Sequence, residues 1–342
     1  MRRDNELFLA VSLDVEEEGL FGGAYQRRGA TVRNVRELPR LEPLCRRGIR
    51  PTLFCAHSVF ADAAACRTLA HMRDNFDAEI GAHLHHWNTP PLTQDNGNTI
   101  QIDQVGQSGR GADIASSVPA AAVPVQLMAD KLHHLFDAAR HFQGAPVTSF
   151  RMGRWDLHRE HWPLLADAGV LTDASVRPLH GKNASGNPDH FGAPANPYWV
   201  RVGDKRIFEA PLTATPLHPC LGRLLSGPAR GLQGTFHTWG ALVLLPVYHP
   251  LWAMKAITSL YARRGGTLLS LTWHSSEMMP GGAPHIPDEA AVQRLLHKIG
   301  DYVHWLCQHW TVRPCTMSEL RETLGPTAPT PAGPATCDWT CA

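Results

Sequence analysis

The sequence contains no apolar run approaching the roughly 20 residues that a transmembrane helix needs. Its charges nearly cancel, 32 basic against 31 acidic residues for a formal charge of +1, and no basic stretch carries interleaved aromatics. Nucleic acid is therefore not an expected partner. The opening text "MRRDNELFLAVSLDVEEE" starts basic but lacks the small-residue cleavage site of a secretory signal. Its apolar run, Leu7 to Leu13, ends on Asp14 and reads as a strand. A disulfide pattern is missing too. The eight cysteines are scattered, and only Cys337 and Cys341 lie close together, in a proline-rich tail. A reduced, cytoplasmic protein is the expectation.

Apolar residues make up 43% of the 342 positions and charged residues 18%, enough for a sizeable core. α/β barrels of this length are commonly one unit. Short apolar runs at Leu7–Leu13, Pro51–Ala56, Ala78–His83, Pro146–Arg151, Gly169–Asp173, Arg206–Ala210 and Thr267–Trp273 read as strands. Helical patterns fall between or after them, near 34–48, 60–75, 124–143, 158–168, 250–264 and 288–309. This alternation predicts an α/β fold with a parallel sheet, open or closed into a barrel. Residues 1–324 are expected to form the catalytic domain. Within it, the polar stretch 88–123 reads as a long loop or lid, and 325–342, "GPTAPTPAGPATCDWTCA", reads as a disordered tail.

Five of the apolar runs deliver an ionisable residue as they finish: Asp14 with Glu16, His83 with His85, Arg151, Asp173 and His274. In α/β sheets and barrels, sites are built at the C-terminal strand ends. A single such residue is usually a solvated terminus, whereas five together point to a site. Side chains alternate along an extended chain, so His83 and His85 face one way and His86 the other. His83 and His85 can grip one ion with a first-strand carboxylate as third ligand, and Asp14 and Glu16 share a side. Two histidines and a carboxylate make a catalytic zinc pattern. Glu17 and Glu18 read as a solvated loop face. Trp87, Trp155 and Trp273 are candidates for stacking on a sugar ring.

The texts "SLDVEEE", "EIGAHLHHW", "SFRMGRWDL", "TDASV" and "LTWHSSE" resemble, in order, the motifs of the polysaccharide deacetylase family (NodB homology, carbohydrate esterase family 4). They look most like its divergent WalW-type cytoplasmic branch, over about residues 7–320. The resemblance implies a distorted (β/α) barrel of about seven parallel strands. It implies metal-dependent removal of an acetyl or other acyl group from an amino sugar or a nucleotide- or lipid-linked glycan precursor, activated water attacking the amide carbonyl. It makes Asp14 the general base, Glu16 and His83 metal ligands, Arg151 the holder of the base and Trp155 the aromatic beside it. His274 becomes the general acid and Asp173 the acid that tunes it. The implied ion is divalent, zinc first, with cobalt, nickel or iron as alternatives.

Two departures stand out. The acids of the first motif are split by Val15, where the family has adjacent aspartates. The family's second histidine comes four residues after the first, where this chain has Trp87. Alternation favours His85 as the replacement ligand, with His86 as the alternative. Two further readings stay open: an amidohydrolase or deformylase acting on another amide, and a glycan-binding scaffold that has lost catalysis.

Overall fold

The computed structural model describes residues 6–23, 25–92, 119–182, 186–226 and 230–331. Eleven strands appear among them: β1 (Glu6–Val15), β2 (Thr52–Ala56), β3 (Glu79–Leu84), β4 (Ser149–Met152), β5 (Thr172–Asp173), β6 (Tyr198–Val202), β7 (Lys205–Glu209), β8 (Ala214–Pro216), β9 (Ala241–Val243), β10 (Leu268–His274) and β11 (Thr311–Cys315). Nine of them form one curled sheet in the order β10-β1-β2-β3-β4-β5-β7-β6, with β11 also on β1. The pairs are parallel except β6 with β7. The count exceeds the expected seven through antiparallel β6 and through β11, while β8 and β9 pair apart as a hairpin.

β1 is the hub. Every residue from Leu7 to Val15 is buried, as in a strand covered on both faces. One edge pairs with β10 from Phe8–Leu268 to Asp14–His274. The other edge is shared, with β11 along Glu6–Ala10 and β2 along Ser12–Val15. Beyond β10 the ladder stops, and one hydroxyl spans the seam. Thr213 Oγ1 accepts from the Ser270 N–H at 2.8 Å and donates to the Leu268 carbonyl at 3.0 Å.

Helices pack outside the sheet. The longest, Glu289–His309, starts where Asp288 accepts from the Ala291 N–H at 2.8 Å, and buries Val292, Leu295, Ile299, Val303 and Leu306. Each such side chain is worth roughly 1.5–3 kcal/mol of burial. The helix expected near 34–48 is mostly 3-10, Arg33–Leu41, with Pro39 unable to supply an amide donor.

No helix among the described residues is long and apolar enough to cross a membrane, and the six cysteines among them are unpaired. The start of the tail is anchored: the Trp199 N–H donates to the Pro329 carbonyl at 2.8 Å and its indole N–H to the Gly325 carbonyl at 2.9 Å. Most of the expected lid, 93–118, and the tail from 332 on lie outside the described residues.

Candidate metal and acid–base site

The ionisable strand-end residues converge at the C-terminal rim of the sheet. Glu16 Oε2 lies 3.3 Å from His83 Nε2 and 3.1 Å from His85 Nε2. All three residues are buried, and one ligand atom from each falls within 4.8 Å of the others. His83 Nδ1–H donates to the Arg151 carbonyl at 3.0 Å, and His85 Nδ1–H donates to Glu17 Oε1 at 2.8 Å. Both rings thus turn Nε2 toward Glu16, the orientation that metal-ligating histidines take. His83 Nε2 is buried without a hydrogen-bond partner of good geometry. An orphaned acceptor there fits a divalent ion. His86, the alternative ligand, packs against Trp87 with ring centroids 5.2 Å apart and stands outside the cluster.

Glu17 is not a solvated loop residue. It is fully buried and takes bonds from His85, from Asn88 Nδ2 at 2.6 Å, and from the Trp87 indole and Ser58 hydroxyl, each at 3.3 Å. Burial alone would raise its pKa, but His85 outweighs this and holds it below the usual carboxylate range. Burial likewise opposes charge on His85, yet Glu17 and Glu16 lift it to about 10. The pocket wants positive charge. Gly153, after β4, admits the His85 ring: a Cβ there would stand 2.4 Å from His85 Cδ2 and 2.6 Å from the Leu84 carbonyl oxygen.

Beside the cluster, Asp14 Oδ1 accepts from Arg151 Nη1 at 2.6 Å. The Arg151 guanidinium also donates to Thr272 Oγ1 and Ser12 Oγ, each at 2.8 Å, and to the Ala174 carbonyl at 3.1 Å. It lies between the Phe54 and Trp155 rings, at 4.3 and 4.8 Å. His274 Nε2 stands 3.7 Å from Asp14 Oδ2, while its Nδ1 lies 3.0 Å from Glu277 Oε2. Glu277 Oε1 in turn meets His285 Nε2 at 2.8 Å. Burial would depress the His274 pKa, but Glu16, Glu277 and Asp14 hold it up at about 9.

Three expectations are corrected. Asp173 does not touch His274; it accepts from the Ser175 hydroxyl at 2.7 Å and the Ser175 N–H at 3.0 Å, and pairs in register with buried Glu209. Burial raises the pKa of both carboxyls, and their mutual repulsion lifts Glu209 further. The carboxylate on His274 is Glu277, which the "HSSE" spacing of a capping box could have revealed. Trp87 and Trp273 cannot face a sugar. Trp87 stacks on His85 at 4.2 Å and Trp273 is core. Of the three tryptophans only Trp155 keeps partial exposure. The aromatics around His274 and His285 are Phe21, edge-on to His274 at 4.7 Å, and Tyr248, 5.8 Å from His285 and 61% exposed. A cavity of about 540 Å³ has in its wall Ser58 and Asn88, two of the residues that bond Glu17.

No family model and no curated protein matches the sequence. Solved structures do match the fold. A protein of Mycobacterium smegmatis assigned as a polysaccharide deacetylase superposes with a TM-score of 0.56 at 15% identity, over 97% of this chain and 95% of that one. One of Pseudomonas aeruginosa PAO1 with the same assignment gives 0.52 at 14%, over 95% and 92%. Puue Allantoinase gives 0.53 at 14%, over 96% and 93%. At such identities the likeness is one of fold: the distorted (β/α) barrel of the NodB-homology type.

Proposed function

We propose that the chain is a metal-dependent hydrolase of the polysaccharide deacetylase kind, removing an acetyl or other acyl group from an amino sugar or glycan precursor. The observation that carries this reading is one juxtaposition. A buried Glu16–His83–His85 cluster, with both histidine rings oriented through Nδ1, stands beside an aspartate gripped by arginine and a histidine that reaches toward that aspartate.

In this reading Glu16, His83 and His85 hold the ion, zinc first among the candidates. When bound, it supplies the positive charge that polarises a carbonyl and acidifies a water. Asp14, locked by Arg151, takes the proton from the attacking water. His274 gives a proton to the departing amide nitrogen, which leaves poorly as an anion. Glu277 accepts from His274 Nδ1–H, which orients the ring and leaves the Nε2 proton as the one to be given. Phe21, Tyr248 and Trp155 provide the apolar faces for a pyranose ring.

The likeness to an allantoinase, as close as that to the deacetylases, supports the second reading, hydrolysis of a non-sugar amide. The intact ligand cluster speaks against a scaffold that has lost catalysis. A mass-spectrometric screen of zinc- or cobalt-loaded protein tests all three. It should offer N-acetylated sugars, nucleotide sugars, formamides and cyclic amides side by side. Loss of the mass of one acetyl group from a sugar alone supports the first reading. Turnover confined to the other amides supports the second, and no turnover anywhere overturns both.

A further inference from the structure

The segments leaving β4 and β5, with the helix Gln233–Trp239, carry a second cluster that the acyl chemistry does not use: Arg154, His158, Arg177, His180, His190 and His237. Arg177 sits at its centre. Its backbone N–H donates to His190 Nδ1 at 3.2 Å, and His190 Nε2–H donates to the Leu157 carbonyl at 3.0 Å, so the backbone here is pinned. The guanidinium is different. Among the described residues it makes no ion pair or side-chain hydrogen bond, and its Nε is buried without a partner. Burial pushes its pKa down to about 10, against the pull of Asp156, as for a half-buried cation with no carboxylate bonded to it.

The carboxylate that does act on it, Asp156, is already engaged, with His158 Nε2 at 2.8 Å and the Ala120 N–H at 2.7 Å. The neighbouring imidazoles register the same uncompensated charge. Burial and then Arg177 push His180 down to about 3, and both lower His237, which stacks on His180 at 4.2 Å. Backbone strain gathers on these two segments as well. Arg154 (φ 58), Trp155 (φ 59) and Leu179 (φ 67) all occupy the left-handed region without being glycine. Trp155 connects this cluster to the catalytic rim, since its ring lies on the Arg151 guanidinium that holds Asp14.

We propose that Arg177, with Arg154 on the adjoining segment, forms an anion subsite beside the catalytic mouth, and that the acylated sugar this chain acts on bears a negatively charged oxygen group. This rests on the reading of the mouth as a site for acylated sugars. A planar guanidinium short of partners suits the paired oxygens of a carboxylate or a phosphate. Either would give the buried Nε the acceptor it lacks.

Calorimetry on the full chain tests this with three probes: neutral chitotriose, an N-acetylated disaccharide carrying a uronic acid, and N-acetylglucosamine 1-phosphate. At least one anionic probe should bind about 10–100-fold more tightly than chitotriose, as a charge-assisted pair predicts. Which one does so tells carboxylate from phosphate. Arg177→Gln should abolish the preference and Arg177→Lys keep part of it. Arg154→Gln, at an exposed position, should reduce it without endangering the fold. Equal binding of all three probes, no binding of either anion, or a preference that survives Arg177→Gln overturns the subsite. Following deacetylation in the same samples separates the two ideas. Turnover of chitotriose without anion preference removes only the subsite, whereas an Arg177-dependent preference without any turnover removes only the deacetylase reading.

Discussion

Arg151 Nη1 and Asp14 Oδ1 lie 2.6 Å apart in the interior of the barrel, on strands separated by β2 and β3. Arg151 spends its remaining donors on Ser12, Thr272 and Ala174, so the carboxylate is held in one position by a group that cannot itself swing. Asp14→Asn should keep the metal and lower turnover by about 10²–10⁴-fold, the usual contribution of a positioned base. Arg151→Ala should lower turnover similarly and also cost roughly 3–5 kcal/mol of stability, because it strands a buried charge. Metal analysis, steady-state kinetics and a urea titration check both. An Asp14→Asn enzyme with most of its rate would transfer the base role elsewhere.

Metal retention should separate the three neighbouring histidines. His83→Ala and His85→Ala should lose the ion on desalting, and His86→Ala should keep it, as read by elemental mass spectrometry. Glu17→Gln, which leaves every ligand in place, should weaken the ion about 10–100-fold, the typical effect of removing a partner behind a ligand. Ion loss in the His86 variant with retention in the His85 variant would invert the assignment.

Gly153→Ala offers a test by added rather than removed atoms. The new methyl would collide with the His85 ring and the Leu84 carbonyl oxygen. The variant should fold with a native far-UV spectrum and show a marked loss of metal affinity. Unchanged affinity would mean the His85 ring does not need the position found here.

If His274 is the general acid it must be protonated to act, and its pKa is raised above the ordinary 6.5, so activity should be present at neutral pH and fall as pH rises through the shifted value. An ion on Glu16 offsets part of that carboxylate's charge and should bring the alkaline limb of kcat/KM below about 9. Glu277→Gln removes a second source of the shift and should move the limb to still lower pH. A limb that stays put would assign it to another group. His274→Ala should slow an amide more than an activated ester, whose leaving group departs without a proton.

Much of this site could be read before the structure, for definite reasons. Asp14, His83, Arg151 and His274 each close an apolar run, and a strand buried on both faces advertises itself by composition. The pairing of His83 with His85 follows from the two-residue period of extended chain, which persists one residue past β3. Glu17 was hidden because an acid in the run "EEE" looks solvated, and nothing local shows that Asn88, Trp87 and His85 fold back onto it. Asp173 was misplaced for a related reason: two strand-end carboxyls, Asp173 and Glu209, compete for one environment, and only the register of β5 with β7 shows that they meet each other. β11, "TVRPC", carries two polar residues and a proline in five, so no period marks it.

The shared edge of β1 has a consequence for how the molecule comes into being. β1 is made first, yet two of its three partners, β10 and β11, are among the last strands to leave the ribosome. Contacts that distant in sequence close late and slowly. Asp14 lies between early β2 and late β10, so its backbone has a partner on one edge only until β10 has been made, long after the histidine strand β3. During that interval the first half of β1, Glu6–Ala10, waits with both edges unpaired, an apolar stretch whose partners β10 and β11 come last among the described strands.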